Sequence, residues 1–134
     1  MSWSVKYDQT TKIVEVIYSG TVTQEELKNS VIERLRIQNE YKSFFVLIDC
    51  SHVERNSGGI LDVHDLPDKI YENEKINRRT CHALALSKYP NARKASFHYE
   101  TVCINRGWRV KLFETREDAV GWLQEEMESN NPPK

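Results

Sequence analysis

Cysteine, glycine and long apolar runs are all scarce in these 134 residues. The 3 cysteines, Cys50, Cys81 and Cys103, are odd in number and widely spaced. They form no disulfide framework and no pair of metal ligands, so reduced, mostly buried thiols are expected. The 5 glycines and 4 prolines mark no internal repeat and no linker. No apolar run approaches the roughly 18 residues of a membrane span. The start, Met1-Ser2-Trp3-Ser4-Val5-Lys6, lacks the apolar core of a signal peptide, and the cytoplasm is the expected location. Neither sign of charge dominates. Lysine and arginine total 19 and aspartate and glutamate 20, a net charge of -1 and a pI near 6.4. That balance gives no global drive toward nucleic acid or an acidic membrane.

What is present is an ordinary globular composition, 39% hydrophobic and 29% charged, enough for one domain with its own core. Trp3 to Tyr7 and Lys12 to Tyr18 read as strands joined by the polar turn Asp8-Gln9-Thr10-Thr11, an antiparallel hairpin closed by Gly20. Thr23-Gln24-Glu25-Glu26 is a capping box. Leu27, Val31 and Leu35 then recur every four residues, predicting an amphipathic helix to about Tyr41. Phe44 to Ile48 is continuously apolar and predicts a central parallel strand. Ser51 to Gly59 reads as a loop, and a helix is expected from about Leu66, with Pro67 in its first turn. Thr80 to Ser87 predicts another buried strand. Asn91 is placed to cap a helix that runs to about Arg106, with Gly107 at its left-handed C′ position. Trp108 to Phe113 reads as the last strand and Thr115 to Met127 as the last helix. The order is ββαβαβαβα, an α/β domain with a mixed, mostly parallel five-stranded sheet and helices packed on it. Its expected limits are residues 1–128, with 129–134 as a frayed tail.

Several stretches in sequence order carry a family likeness. They are Ser19-Gly20-Thr21-Val22-Thr23, Leu47-Ile48-Asp49-Cys50-Ser51-His52-Val53, Asp65-Leu66-Pro67, Arg93-Lys94-Ala95-Ser96-Phe97, Tyr99-Glu100-Thr101-Val102, Asn105-Arg106-Gly107-Trp108 and Ala119-Val120-Gly121-Trp122-Leu123. On these the chain resembles the STAS-type domains of anti-sigma-factor antagonists, and more closely the SpoIIAA-like family. The resemblance covers nearly the whole chain. It implies a STAS/SpoIIAA-like fold and no established reaction. In true antagonists the loop after the Asp-bearing strand carries an Asp-Ser-Ser-Gly-type motif with a phosphorylated serine. Here that place reads Asn56-Ser57-Gly58-Gly59. The aspartate is missing and the second serine is Gly58 in the simplest alignment, though a one-residue shift lets Ser57 stand in. The expectation is that the phospho-switch is absent or altered.

No catalytic constellation can be named, and no enzyme, cofactor or metal is expected. His52, His64, His82 and His98 lack zinc-ligand spacing and suit ordinary structural roles. Asp62, Asp65 and Asp68 read as a solvated acidic face rather than a cation site. Arg78, Arg79, Arg93 and Lys94 would bind an anion if they gathered, with solvated surface charge as the alternative. On the helix after Asn91, the stripe Ala92, Ala95 or Ser96, Tyr99, and Val102 or Cys103 is either core or the wall of a crevice. The reading adopted is a non-enzymatic STAS-like regulatory or protein-binding module, engaging a protein partner through the Ser51–Gly59 loop and the helix after it. The alternative is a small-molecule or lipid-binding domain, with a pocket lined by Tyr71, Phe97 and Tyr99 and rimmed by arginine, for a small anionic or lipid-like ligand. The candidate surface is Ser57, Gly58, Tyr71, Arg93, Tyr99 and Arg106. Nucleic acid and a membrane span are not expected, and a homodimer is left open.

Overall fold

A computed structural model describes residues 2–56, 71 and 76–130. Five strands form one sheet in the order β1-β2-β3-β4-β5: β1 Trp3–Asp8, β2 Ile13–Val22, β3 Phe45–Asn56, β4 Cys81–Ala85 and β5 Arg109–Phe113. β1 pairs antiparallel with β2 at the edge, and β2 to β5 run parallel. Three helices are described: α1 Gln24–Tyr41, α2 Pro90–Asn105 and α3 Arg116–Asn130, whose last two residues are the first of the expected tail. Ser57, Gly58, the Asp62–Asp68 triplet and the helix expected from Leu66 lie outside the described residues.

The period-2 alternation of the strands sorts side chains onto two faces. Val14, Val16, Val46, Ile48, Leu84 and Val110 point to one face and bury against α1 and α2. Ile13, Leu47, Cys81 and Ala83 point to the other, where α3 covers them with Ala119 and Leu123. The result is three layers, two helices on one side of the sheet and one on the other.

Helix α1 begins where its capping box predicts, with Glu26 N–H bonded to Thr23 Oγ1 at 3.1 Å and Thr23 N–H to Glu26 Oε1 at 3.0 Å. Helix α2 ends in a complete Schellman motif: the Gly107 amide bonds the Ile104 carbonyl and the Trp108 amide bonds that of Cys103. Gly107 has φ +84°, the left-handed value such a stop requires.

Four local expectations are corrected. Ser51 onward is not loop, since β3 continues to Asn56. β2 also runs on to Val22, so Ser51–Asn56 finds a hydrogen-bonding partner, and Val22 and Val53 are buried there. Gly20 does not close the hairpin but sits inside β2 with φ +65°, at a register shift. Asn91 does not cap α2: Tyr89 is the N-cap, without a side-chain bond, and Pro90 opens the helix. Proline suits a first helical position because its fixed φ is helical and its missing N–H is not needed. Phe44 precedes β3 and is 43% exposed rather than buried.

Candidate functional site

Helix α1 repeats on the sheet with a seven-residue echo. Leu27 and Val31 are followed by Arg34 and Gln38, and all four are buried. Arg34 is therefore carried into the core by the same periodicity that buries its apolar neighbours. It is only 2% exposed. Its Nε donates to Gln38 Oε1 at 3.1 Å, Nη1 to the Tyr71 hydroxyl at 3.4 Å, and Nη2 to His82 Nε2 at 2.8 Å. A guanidinium has five N–H groups, and these bonds use three. Among the described residues no carboxylate pairs with it.

Arg34 lines a cavity of about 50 Å³ between α1, α2 and the sheet. The walls are mostly apolar, with Val16, Val31, Ile48, Val53 and Leu84 prominent. Three phenols join them. Tyr71 and Tyr99 share a 2.5 Å hydroxyl–hydroxyl bond, and Tyr18 bonds Ser30, whose hydroxyl donates to the Leu27 carbonyl at 2.8 Å. Burial pushes all three phenol pKa values up. They are neutral donors and acceptors. Burial, reinforced by the charge on Asp49, raises the Cys50 thiol to about 12, so it is an inert lining rather than a nucleophile. Burial and then the Arg34 charge hold His82 well below the ordinary histidine value. Its Nδ1 accordingly donates to the Arg109 carbonyl at 2.9 Å while Nε2 accepts from Arg34. The chemistry on offer is one fixed positive charge and a few hydroxyls at the wall of an apolar space. Among the described lining residues no nucleophile is paired with a base.

The structure brings Tyr71 and Tyr99 together and leaves the arginines apart. Arg93 and Arg106 sit near opposite ends of α2, and neither lines the cavity. Arg93 makes a bidentate pair with Glu114, both bonds 2.9 Å, and also reaches the Ser87 carbonyl at 3.2 Å. Arg106 is the C-cap of α2 and turns Nη1 back to the Val102 carbonyl at 3.4 Å. Phe97 is 47% exposed, because position 97 falls between the buried stripe positions Ser96 and Tyr99. The stripe itself, Ala92, Ala95, Ser96, Tyr99, Val102 and Cys103, is buried throughout, and its Ala92, Ser96 and Tyr99 also line the cavity. Arg34 is the residue the sequence reading missed. Its signal was a charged residue on the Leu27–Val31 face.

The three-layer architecture, with an antiparallel edge strand on a parallel sheet, is a STAS/SpoIIAA-like fold. The chain superposes on the crystal structure of an anti-sigma factor antagonist from Mycobacterium paratuberculosis with a TM-score of 0.59, at 17% identity, covering 91% of this chain and 92% of that one. A protein with a SpoIIAA-like fold from Shewanella loihica aligns with a TM-score of 0.49 and 17% identity, over 90% and 91% of the two chains. No family model and no curated protein sequence matches the chain. Among the described residues no helix is long and apolar enough to cross a membrane.

Proposed function

We propose that this chain is a non-enzymatic binding module whose Arg34 cavity takes a small carboxylate with a short apolar tail. The observation that carries the reading is a fully buried guanidinium facing an apolar space, with no carboxylate partner among the described residues. Burying an uncompensated charge is costly, and a ligand anion would offset that cost through charge-assisted, bidentate bonds. The volume favours a ligand of a few heavy atoms, since one water needs about 10–15 Å³ of such space. A long lipid chain does not suit it. Titration calorimetry with butyrate and with butanol tests this. Butyrate is expected to bind more tightly than butanol, and Arg34→Met is expected to abolish the difference while the protein stays folded. Equal or absent binding of both by the parent protein would sink the reading.

A second reading, a regulatory module that binds a protein partner, is supported by the likeness to an anti-sigma factor antagonist. It would use the Ser57-Gly58 segment that follows β3. If that segment acts as it does in true antagonists, an anti-sigma kinase should phosphorylate Ser57. An unmodified serine after incubation, read by mass spectrometry, would remove the phospho-switch and leave partner binding to be judged by co-purification from the source organism.

A further inference from the structure

The cavity lies along residues 16–22 of β2 and 48–53 of β3. The opposite end of the sheet holds a second feature of different character. There the β1–β2 turn, the end of α1, the starts of β3, β4 and β5, and the end of α3 enclose a groove of about 880 Å³. Five cations line it, Lys12, Lys42, Arg78, Arg79 and Arg109, with Glu128 as the one carboxylate among the described lining residues. All five cations are exposed. Lys12, Lys42 and Arg79 make no ion pair among the described residues, Arg78 covers the Trp108 ring and Arg109 pairs with Glu126.

The geometry points to a docking site for a short acidic segment of a partner protein that carries an aromatic or aliphatic anchor. Three observations support it, independent of both readings above. First, the two lysines are placed by unusual backbone. Lys12 has φ +64° and Lys42 φ +54°, and they are the two non-glycine residues with positive φ among those described. The left-handed region disfavours side chains other than asparagine, aspartate and glycine, so a lysine there is held by its surroundings. The holding bonds are visible. Ser43 Oγ donates to the Lys12 carbonyl at 3.0 Å, the Gln38 side chain donates to the Ser43 carbonyl at 3.1 Å, and Tyr7 stacks on Tyr41 at 4.1 Å. These bonds clamp the two lysine turns to each other.

Second, the charge is local. Five cations and one carboxylate give the groove +4, and the chain totals -1, so the remainder carries -5. Glu126 cancels one more unit through Arg109. The ends of α1, α2 and α3 also point here, and each contributes roughly -0.5. The groove stays positive after both corrections. The net -5 carried by the rest of the chain opposes a long polyanion, whereas a short acidic segment needs only the local charge. Third, Tyr41 and Phe44 stand at the groove 42% and 43% exposed. Exposed aromatics beside arginine are the composition of an interface centre.

The test is an array of short peptides that varies the number of acidic residues and the presence of one phenylalanine, probed with the full chain. Selected peptides are then titrated beside a single-stranded oligonucleotide. The comparison protein is the triple variant Lys12→Asn, Lys42→Asn, Arg79→Gln, because asparagine accepts the left-handed backbone at the first two sites. Acidic peptides with the aromatic anchor are expected to bind, with affinity falling as salt rises and falling at least tenfold in the variant. Thermal unfolding of the variant is expected to match the parent. The proposal is overturned if no acidic peptide binds, if the variant binds equally well, or if the oligonucleotide binds more tightly than every peptide.

Discussion

The Nη2 group of Arg34 lies 2.8 Å from Nε2 of His82, and each defines the state of the other. A guanidinium only donates, so Nε2 must accept, and the ring keeps its proton on Nδ1 for the Arg109 carbonyl. The Arg34 bond requires a neutral imidazole, since a protonated ring would carry a hydrogen on Nε2 as well. Burial and the Arg34 charge hold the His82 pKa well below its ordinary value. The folded chain therefore refuses a proton that the unfolded chain accepts below about pH 6.5. Stability is intact above that pH and declines as pH falls through it. Between pH 6.5 and 5.5 the decline from His82 alone is expected to be about 1 kcal/mol. Urea unfolding at the two pH values measures it, and His82→Gln should remove most of the slope. A slope unchanged in that variant would assign the titration to another group.

On the other face of the sheet, Arg116 at the start of α3 bridges two buried carboxylates. Nη2 meets Glu15 Oε1 at 2.7 Å and Nη1 meets Asp49 Oδ2 at 3.2 Å. Glu15 is 3% exposed and Asp49 6%. Lys6 stands 3.9 Å from Glu15 but is itself largely exposed. Arg116→Met leaves both carboxylates short of their partner, but the arginine is itself 39% exposed, so solvent screening reduces the expected loss to about 1–2 kcal/mol. A loss under about 1 kcal/mol in chemical denaturation would show that water and Lys6 suffice.

Leu84 is 3% exposed in β4, paired on one side with Ile48 and on the other with Leu112. Leu84→Ala is expected to cost about 2–5 kcal/mol, the range for buried leucines. It would also enlarge the cavity. A measured cost well below 1 kcal/mol would mean the strand is not central to folding.

Most of the fold was legible because it is written in apolar periodicity. Val46 and Leu47, Ala83 and Leu84, and the Leu27–Val31 repeat announced their elements, and Gly107 announced the end of α2. The misses share a cause. Asp49, Ser51, His52, Glu54 and Arg55 are polar, so the strand looked finished at Ile48, although Val53 kept its alternation. What prolongs the strand is pairing with β2, a long-range fact. Arg34 was hidden in the same way, since a charge is read as surface until the helix it rides on is docked. Tyr71 and Tyr99 lie side by side, their hydroxyls hydrogen-bonded. Their arginine was sought on α2, whereas α1 supplies it across the core.

Tyr99 and Arg106 now separate two locations for a binding site on α2. The Tyr99 hydroxyl is buried in the cavity wall and bonded to Tyr71 at 2.5 Å. Arg106 is outside the cavity at the helix end. Tyr99→Phe keeps the ring and removes one buried hydrogen bond, which typically contributes about 1 kcal/mol. It is expected to lower stability by about that amount and to weaken butyrate binding severalfold, because it loosens the Tyr71 hydroxyl that Arg34 holds. Arg106→Gln changes a partly exposed side chain and should stay within about 0.5 kcal/mol of the parent, with butyrate affinity unchanged. Urea denaturation and calorimetry on the two variants give four numbers. The opposite pattern, with binding lost in Arg106→Gln and retained in Tyr99→Phe, would move the site from the Arg34 cavity to the carboxyl end of α2.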